Sequence, residues 1–245
     1  MRRGRRLSWL AMAVALATGL GSLAAELGAE NLPDPGDSSL PALDRVTALI
    51  ERMRIEQRSY TNLRATFEQR TESELLLEPE VARGAFYYRA PDTVRWEYFE
   101  PTPKIIFLDD GNMTTWYQDL GRAETLRVGR HSDRVLKYLG AGGSLETLME
   151  YFTLRVTWPE ETAGGNGPYR LTLLPRYERI AKRLEVIKIE VDSQNFFPTR
   201  LYYLEPSGDE TEYIFTDIEV NGSISEDRFR LDLPPEVIVH RRHQP

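Results

Sequence analysis

The residues best suited to acid–base or metal chemistry are three histidines, His131, His240 and His243. None has a second ligand at metal-binding spacing, and the last two fall in the basic ending His240-Arg241-Arg242-His243. Asp109-Asp110 is the one carboxylate pair in a turn, and the Gly111-Asn112 that follows makes it ordinary hairpin chemistry. No Gly-x-Ser-x-Gly, His-Glu-x-x-His or phosphate-loop pattern occurs. There is no cysteine, which excludes disulfides, thiolate metal sites, a cysteine nucleophile and a lipidated N-terminal cysteine. Acid–base catalysis would need carboxylates brought together from distant strands, a geometry that sequence leaves open. The expectation is a protein without catalytic residues, cofactor or metal.

What stands out instead is a surplus of aromatic residues on strands. Phe86, Tyr87, Tyr88, Trp96, Tyr98 and Phe99 fall close together, followed by Phe107, Trp116 and Tyr117. Side chains alternate along a strand, so Val94, Trp96 and Tyr98 share one face while Arg95 and Glu97 take the other. Pro91-Asp92 and Pro101-Thr102-Pro103 break the chain on either side, because proline lacks the ladder amide. Both faces of Arg83–Tyr88 and of Ile105–Leu108 carry large apolar groups, so a sheet built from them needs a partner on each side. Two readings satisfy this: a plain β-sandwich core, or a concave face holding a lipid with helices at its mouth. On the second reading Val94, Trp96 and Tyr98 line a hydrophobic cavity with Phe86, Tyr88, Ile106, Leu108 and Trp116.

These residues need a scaffold, and most of the chain reads as β. Leu63, Ala65 and Phe67 alternate with polar residues. Strands are predicted at 83–89, 93–99, 105–108, 113–118, 123–128, 154–158, 169–174, 183–191, 199–204 and 210–220. The connections are short and carry turn signals, so neighbours should pair antiparallel, in a barrel or sandwich. Two amphipathic helices are predicted. Val46, Leu49, Ile50 and Met53 form one apolar stripe over 44–57, with Leu49 and Met53 as further cavity residues. A second helix is predicted from Ser144, with Leu145, Leu148, Met149 and Phe152 as its stripe and Gly140, Gly142 and Gly143 before it. Such helices are too few to cover both faces of a sheet but could plug one mouth.

At 245 residues with 41% apolar composition the chain can bury a substantial core. Arg2, Arg3, Arg5 and Arg6 precede an apolar run from Leu7 to Leu20, and Ser22-Leu23-Ala24 fits a small-x-small cleavage site. Residues 1–24 therefore read as a secretory signal peptide, its apolar run too short to span a bilayer comfortably. Residues 25–41, with Pro33, Pro35 and Pro41, read as a flexible linker, 42–240 as a single domain and 241–245 as a solvated tail. Without residues 1–24, Lys+Arg falls from 31 to 27 against 38 Asp+Glu, a net charge of −11. That balance argues against nucleic-acid binding.

The block Gly84–Trp116 resembles the periplasmic outer-membrane lipoprotein carrier (LolA) family. It has a Gly-led strand ending at a proline, a Trp strand closed by a proline, and an apolar strand running into a Gly turn followed by a Trp. Ala65-Thr66-Phe67-Glu68-Gln69, Phe197-Pro198-Thr199-Arg200-Leu201 and Phe229–Val237 match in order, the last as a closing aromatic strand with its Pro pair. The resemblance runs from Asp44 to Val239. It implies a mainly β (α+β) fold: an incomplete antiparallel β-barrel, or strongly curved sheet, with a lid of short α-helices over an apolar cavity. It implies a monomeric periplasmic carrier that shelters lipoprotein acyl chains between the inner and outer membranes. Its implied partners are acylated lipoproteins, an inner-membrane lipoprotein-releasing transporter and an outer-membrane lipoprotein receptor. A related lipid-binding or envelope-stress-sensing module is the alternative, and a hydrolase the remotest reading. Family members often carry an arginine directly before the first proline as a lid latch. Here that position is Ala90, and the candidate latch is Arg89.

Overall fold

The computed structural model describes residues 32–127, 150–161 and 167–242. The signal-peptide region, His131, His243, Ser144 and the rest of the second helix's stripe up to Met149 lie outside the described residues. Among those described, twelve strands form one sheet: β1 (Asn62–Glu72), β2 (Glu80–Arg89), β3 (Thr93–Glu100), β4 (Lys104–Asp109), β5 (Asn112–Tyr117), β6 (Arg122–Arg127), β7 (Phe152–Thr157), β8 (Tyr169–Pro175), β9 (Val186–Val191), β10 (Pro198–Leu204), β11 (Glu210–Val220) and β12 (Ile238–Arg242). Their order is β12-β6-β5-β4-β3-β2-β1-β11-β10-β9-β8-β7. The sheet is curved and unclosed, with β12 and β7 as its edges. Neighbours pair antiparallel as predicted, except that β12 runs parallel to β6.

The periodicity explains the sheet. Leu63, Ala65 and Phe67 are buried while Arg64 and Thr66 are exposed. Tyr169, Leu171 and Leu173 of β8 and Ile187, Ile189 and Val191 of β9 repeat the alternation, and all face the same core. β4 and β5 turn through Asp110 and Gly111 at φ 44° and 69°, the left-handed pair of a tight hairpin. The neighbouring Asp109 carboxylate accepts a 3.1 Å hydrogen bond from Thr93 Oγ1. The acidic pair thus does turn and strand-end work.

Helix α1 (Ala42–Ser59) carries Asp44 in its first turn and Arg58 in its last, each matched to the helix dipole. Leu49 and Met53 are buried in the core, with Val46 and Ile50 packed against it. Residues 32–41, predicted as flexible linker, are built into turns. Gly36 N–H donates to Asp34 and Ser39 N–H to Asp37. Arginines of α1 then reach back to its carbonyls: Arg45 Nε to Pro35 O at 2.8 Å and Arg52 Nη2 to Leu32 O at 3.1 Å.

Three further expectations need correction. Phe152, placed on the second helix's stripe, instead opens β7 and pairs with Pro175. The strand predicted at 183–191 starts at Val186, because the short helix α2 (Glu178–Ala181) and its turn occupy the chain before it. The closing aromatic strand at Phe229–Val237 is a 3-10 turn (Glu226–Phe229) and an extended strap, which precede β12. β12 also takes Arg241 and Arg242 into the sheet, although His240 and Arg241 remain exposed as expected of a solvated tail.

The strap gives the outer face its partner. Phe229 is buried, and Arg228 Nη1 donates to Glu97 Oε2 at 2.8 Å. Arg95 Nη1 donates to Arg230 O at 3.1 Å. Ala85, Ile105 and Phe107 are accordingly buried on the face opposite the main core.

Candidate functional site

Where β2, β3 and β4 meet, the inner face of the sheet is a mostly apolar, aromatic surface. The register places Tyr88, Val94 and Leu108 in one row across β2, β3 and β4, and Phe86, Trp96 and Ile106 in the next. Val94 is 0% exposed and Trp96 and Tyr98 are 1% exposed, so protein atoms alone fill the space over them. Leu108 is partly buried against the same cluster, and Leu49 and Met53 of α1 belong to it. Trp116 does not. It pairs with Ile105, whose side chain points outward, so Trp116 lies on the outer face. The period-two rule fixes faces within a strand, but the phase between strands depends on where the hairpin turns.

Sequence reasoning missed the pivot of this surface, Phe67. Its ring stands edge-on to Trp96 and Tyr98 at centroid distances of 4.8 and 4.9 Å. It lies over Gly84, where an added Cβ would come within 2.7 Å of the ring and 2.1 Å of Glu97 O. The leading glycine of the Gly84 block thus makes room for an aromatic side chain from the neighbouring strand. Tyr213 and Phe215 of β11 complete the cluster around Trp96 at 5.4 and 5.8 Å. The alternation Thr211, Tyr213, Phe215 was the available signal.

Helix α1 covers one end of this face. Its C-terminal end is tied to the sheet by Asn221, whose side chain accepts from Thr61 N–H at 2.7 Å and donates to Ser59 O at 3.0 Å. Its N-terminal end is tied by Arg45, whose guanidinium lies 3.9 Å from the Trp158 ring centre and pairs with Glu160. Desolvation acts to raise the Glu160 carboxyl, but a backbone hydrogen bond and Arg45 outweigh it and hold the group below its ordinary value. Arg89 takes no part. It lies on the outer face, donates to Glu226 Oε2 at 2.8 Å and stacks 4.6 Å from Phe229. Ala90, at the family's latch position, packs against the inner core instead.

The polar groups of the inner face are phenols, Gln69, several threonines and, at its β6 side, Glu124, which lies opposite Thr115 and is 8% exposed. Burial pushes Tyr88 up to about 12, with the Asp92 charge adding to it. Burial likewise drives Tyr98 and Tyr213 above the ordinary phenol value. All three stay neutral near pH 7. Among the described residues no group of three His, Asp or Glu could hold a metal ion. The arrangement can bury apolar ligand surface if α1 yields.

Among the described residues, a curved, unclosed sheet, antiparallel except at β12, with the amphipathic helix α1 against its aromatic face agrees with the mainly β, strongly curved sheet expected from the sequence resemblance. The family model described as outer membrane lipoprotein carrier protein LolA matches residues 58–232. The chain belongs to the LolA family. An outer-membrane lipoprotein carrier protein of Alkalilimnicola ehrlichii is 35% identical over 135 residues, covering 51% of this chain and 56% of that protein. The chain thus matches a little over half the length of this relative. Among solved structures, an uncharacterized conserved protein from Thermus thermophilus superposes with a TM-score of 0.53 at 12% identity, covering 80% of this chain and 99% of that one. MucB superposes with a TM-score of 0.50 at 14% identity, covering 78% and 64%. At these identities the two likenesses concern the fold alone.

Proposed function

We propose that this LolA-family protein is a periplasmic carrier that shelters the acyl chains of lipoproteins against its inner face. It takes them from an inner-membrane lipoprotein-releasing transporter and surrenders them to an outer-membrane receptor. The observation that carries this reading is the aromatic inner face capped by the apolar stripe of helix α1. Each CH₂ moved out of water is worth about 0.8 kcal/mol, so a multiply acylated protein needs a large apolar surface to cross an aqueous space. The face around Trp96 offers one.

The carrier must also release its cargo. Leu49 and Met53 pack on the inner face, and burying a side chain of that kind stabilises by about 1.5–3 kcal/mol. Closure of α1 therefore competes with cargo for the same surface, which limits the net affinity. Mass spectrometry of material co-purifying with the protein expressed in a bacterial periplasm tests this. Acylated peptides are the expected finding. Free lipid alone would make the protein a lipid carrier of the same fold, and no hydrophobic ligand at all would overturn the proposal.

A further inference from the structure

The inner face changes character along the strands. The row Leu63, Tyr88, Val94, Leu108 and Met113 lies near the α1 end, and its one phenol, Tyr88, donates to Pro91 O at 3.4 Å. Further along β1 and β3 stand Gln69, Thr71 and Tyr98, and register brings Tyr213, Thr211 and Tyr203 beside them. Tyr98 Oη donates to Gln69 Oε1 at 2.9 Å, and Gln69 Nε2 donates to Thr71 Oγ1 at 3.1 Å. The Tyr98 proton is therefore committed to Gln69. The Tyr213 hydroxyl is not. It is fully buried and lies close to the Tyr98 and Tyr203 phenols, yet it makes no hydrogen bond of good geometry.

A buried hydroxyl without a well-placed partner is costly, and a site that keeps one is suited to a ligand that supplies the acceptor. The ligand's group must be neutral, since an anion would pay heavily for desolvation here. Resting on the carrier reading, we infer that Tyr213, braced by Tyr98 and Gln69, forms a subsite for the ester or amide carbonyl at the head of an acyl chain. The chains run from it toward the Val94 row and the underside of α1. The polarity gradient thus sets the direction in which an acylated ligand lies.

The test compares dipalmitoylglycerol with its dihexadecyl ether, each displacing the fluorescent hydrocarbon diphenylhexatriene from wild type and from Tyr213→Phe. Loss of one neutral hydrogen bond corresponds to about fivefold in affinity. The expected result is that wild type prefers the ester by about fivefold, while Tyr213→Phe loses that preference and binds the ether as wild type does. The variant should melt no lower than wild type, because it sheds an unpartnered polar group. Equal preference in both proteins, no preference in wild type, or a melt lowered by many degrees overturns the subsite and leaves the carrier reading standing. Failure of wild type to bind either lipid or the hydrocarbon overturns the carrier reading and the subsite with it.

Discussion

The guanidinium of Arg45 lies against Trp158, 3.9 Å from the ring centre, and fastens helix α1 to the end of β7. Arg45 is only 7% exposed. Its other contacts, to Pro35 O and Glu160, hold the preceding turn and the following loop to the same point. The helix is therefore pinned at its first turn by a charged group and lies on the core by its apolar stripe.

Replacing Arg45 with Met keeps an apolar stem over Trp158 and removes the cation. A partly desolvated cation–π contact contributes about 0.5–2 kcal/mol. The variant should melt a few degrees lower. If closure competes with ligand as proposed, it should also bind a hydrophobic probe several-fold more tightly. Calorimetry and probe titration on the same samples check both.

The Glu160 carboxyl sits below its ordinary value of 4.5. A depressed carboxylate contributes stability that is complete above the unfolded value and is lost as pH falls through the folded one. The clamp should thus be intact above about pH 4.5 and weaken below it. Glu160 is well exposed, so the effect is small. Melting temperature followed from about pH 6 to about pH 3 should fall less steeply in Glu160→Gln than in wild type.

Gly84→Ala is expected to be severely destabilising. A Cβ there would meet backbone oxygen of Glu97 at 2.1 Å and the Phe67 ring at 2.7 Å. Overpacking of this kind costs roughly 1–3 kcal/mol, and more when backbone must move. Denaturant unfolding monitored by tryptophan fluorescence gives the value. The double variant Gly84→Ala, Phe67→Leu should recover the part due to the ring.

Asn221 holds the junction of α1 and β1 from the end of β11 and adopts a left-handed backbone, φ 56°. Asn221→Ala loses the side-chain bonds and strains the backbone, for an expected cost of about 1–3 kcal/mol. Asn221→Gly should lose only the side-chain bonds and be the milder of the two. Thermal melts of the pair separate the contributions.

Much of this was legible in the sequence. The strand from Thr93 and the shared face of Val94, Trp96 and Tyr98 followed from period-two alternation bounded by prolines, and the α1 stripe from helical spacing. Trp116 was misplaced because one strand's pattern does not fix its phase against the next. Arg89 was a candidate latch through the resemblance, as the arginine one residue before the family's latch position at Ala90, but alternation sends it outward to Glu226. Arg45 could not be read as the clamp, since its partners Trp158 and Glu160 lie more than a hundred residues away. The outer strap was hidden for a similar reason. Phe229 looks like any strand aromatic until its contact with Arg89 and its burial over β2 and β3 are seen.

The sheet's two faces supply the most direct test. Trp96 lies on the inner face and Trp116 on the outer. Variants retaining one or the other, with the remaining tryptophans changed to Phe, are titrated with a synthetic lipopeptide whose acyl chains carry bromine, a short-range fluorescence quencher. Acyl chains held against the inner face will quench Trp96 and leave Trp116 bright. Quenching of Trp116 alone, or of both equally, would place the chains elsewhere and contradict the account.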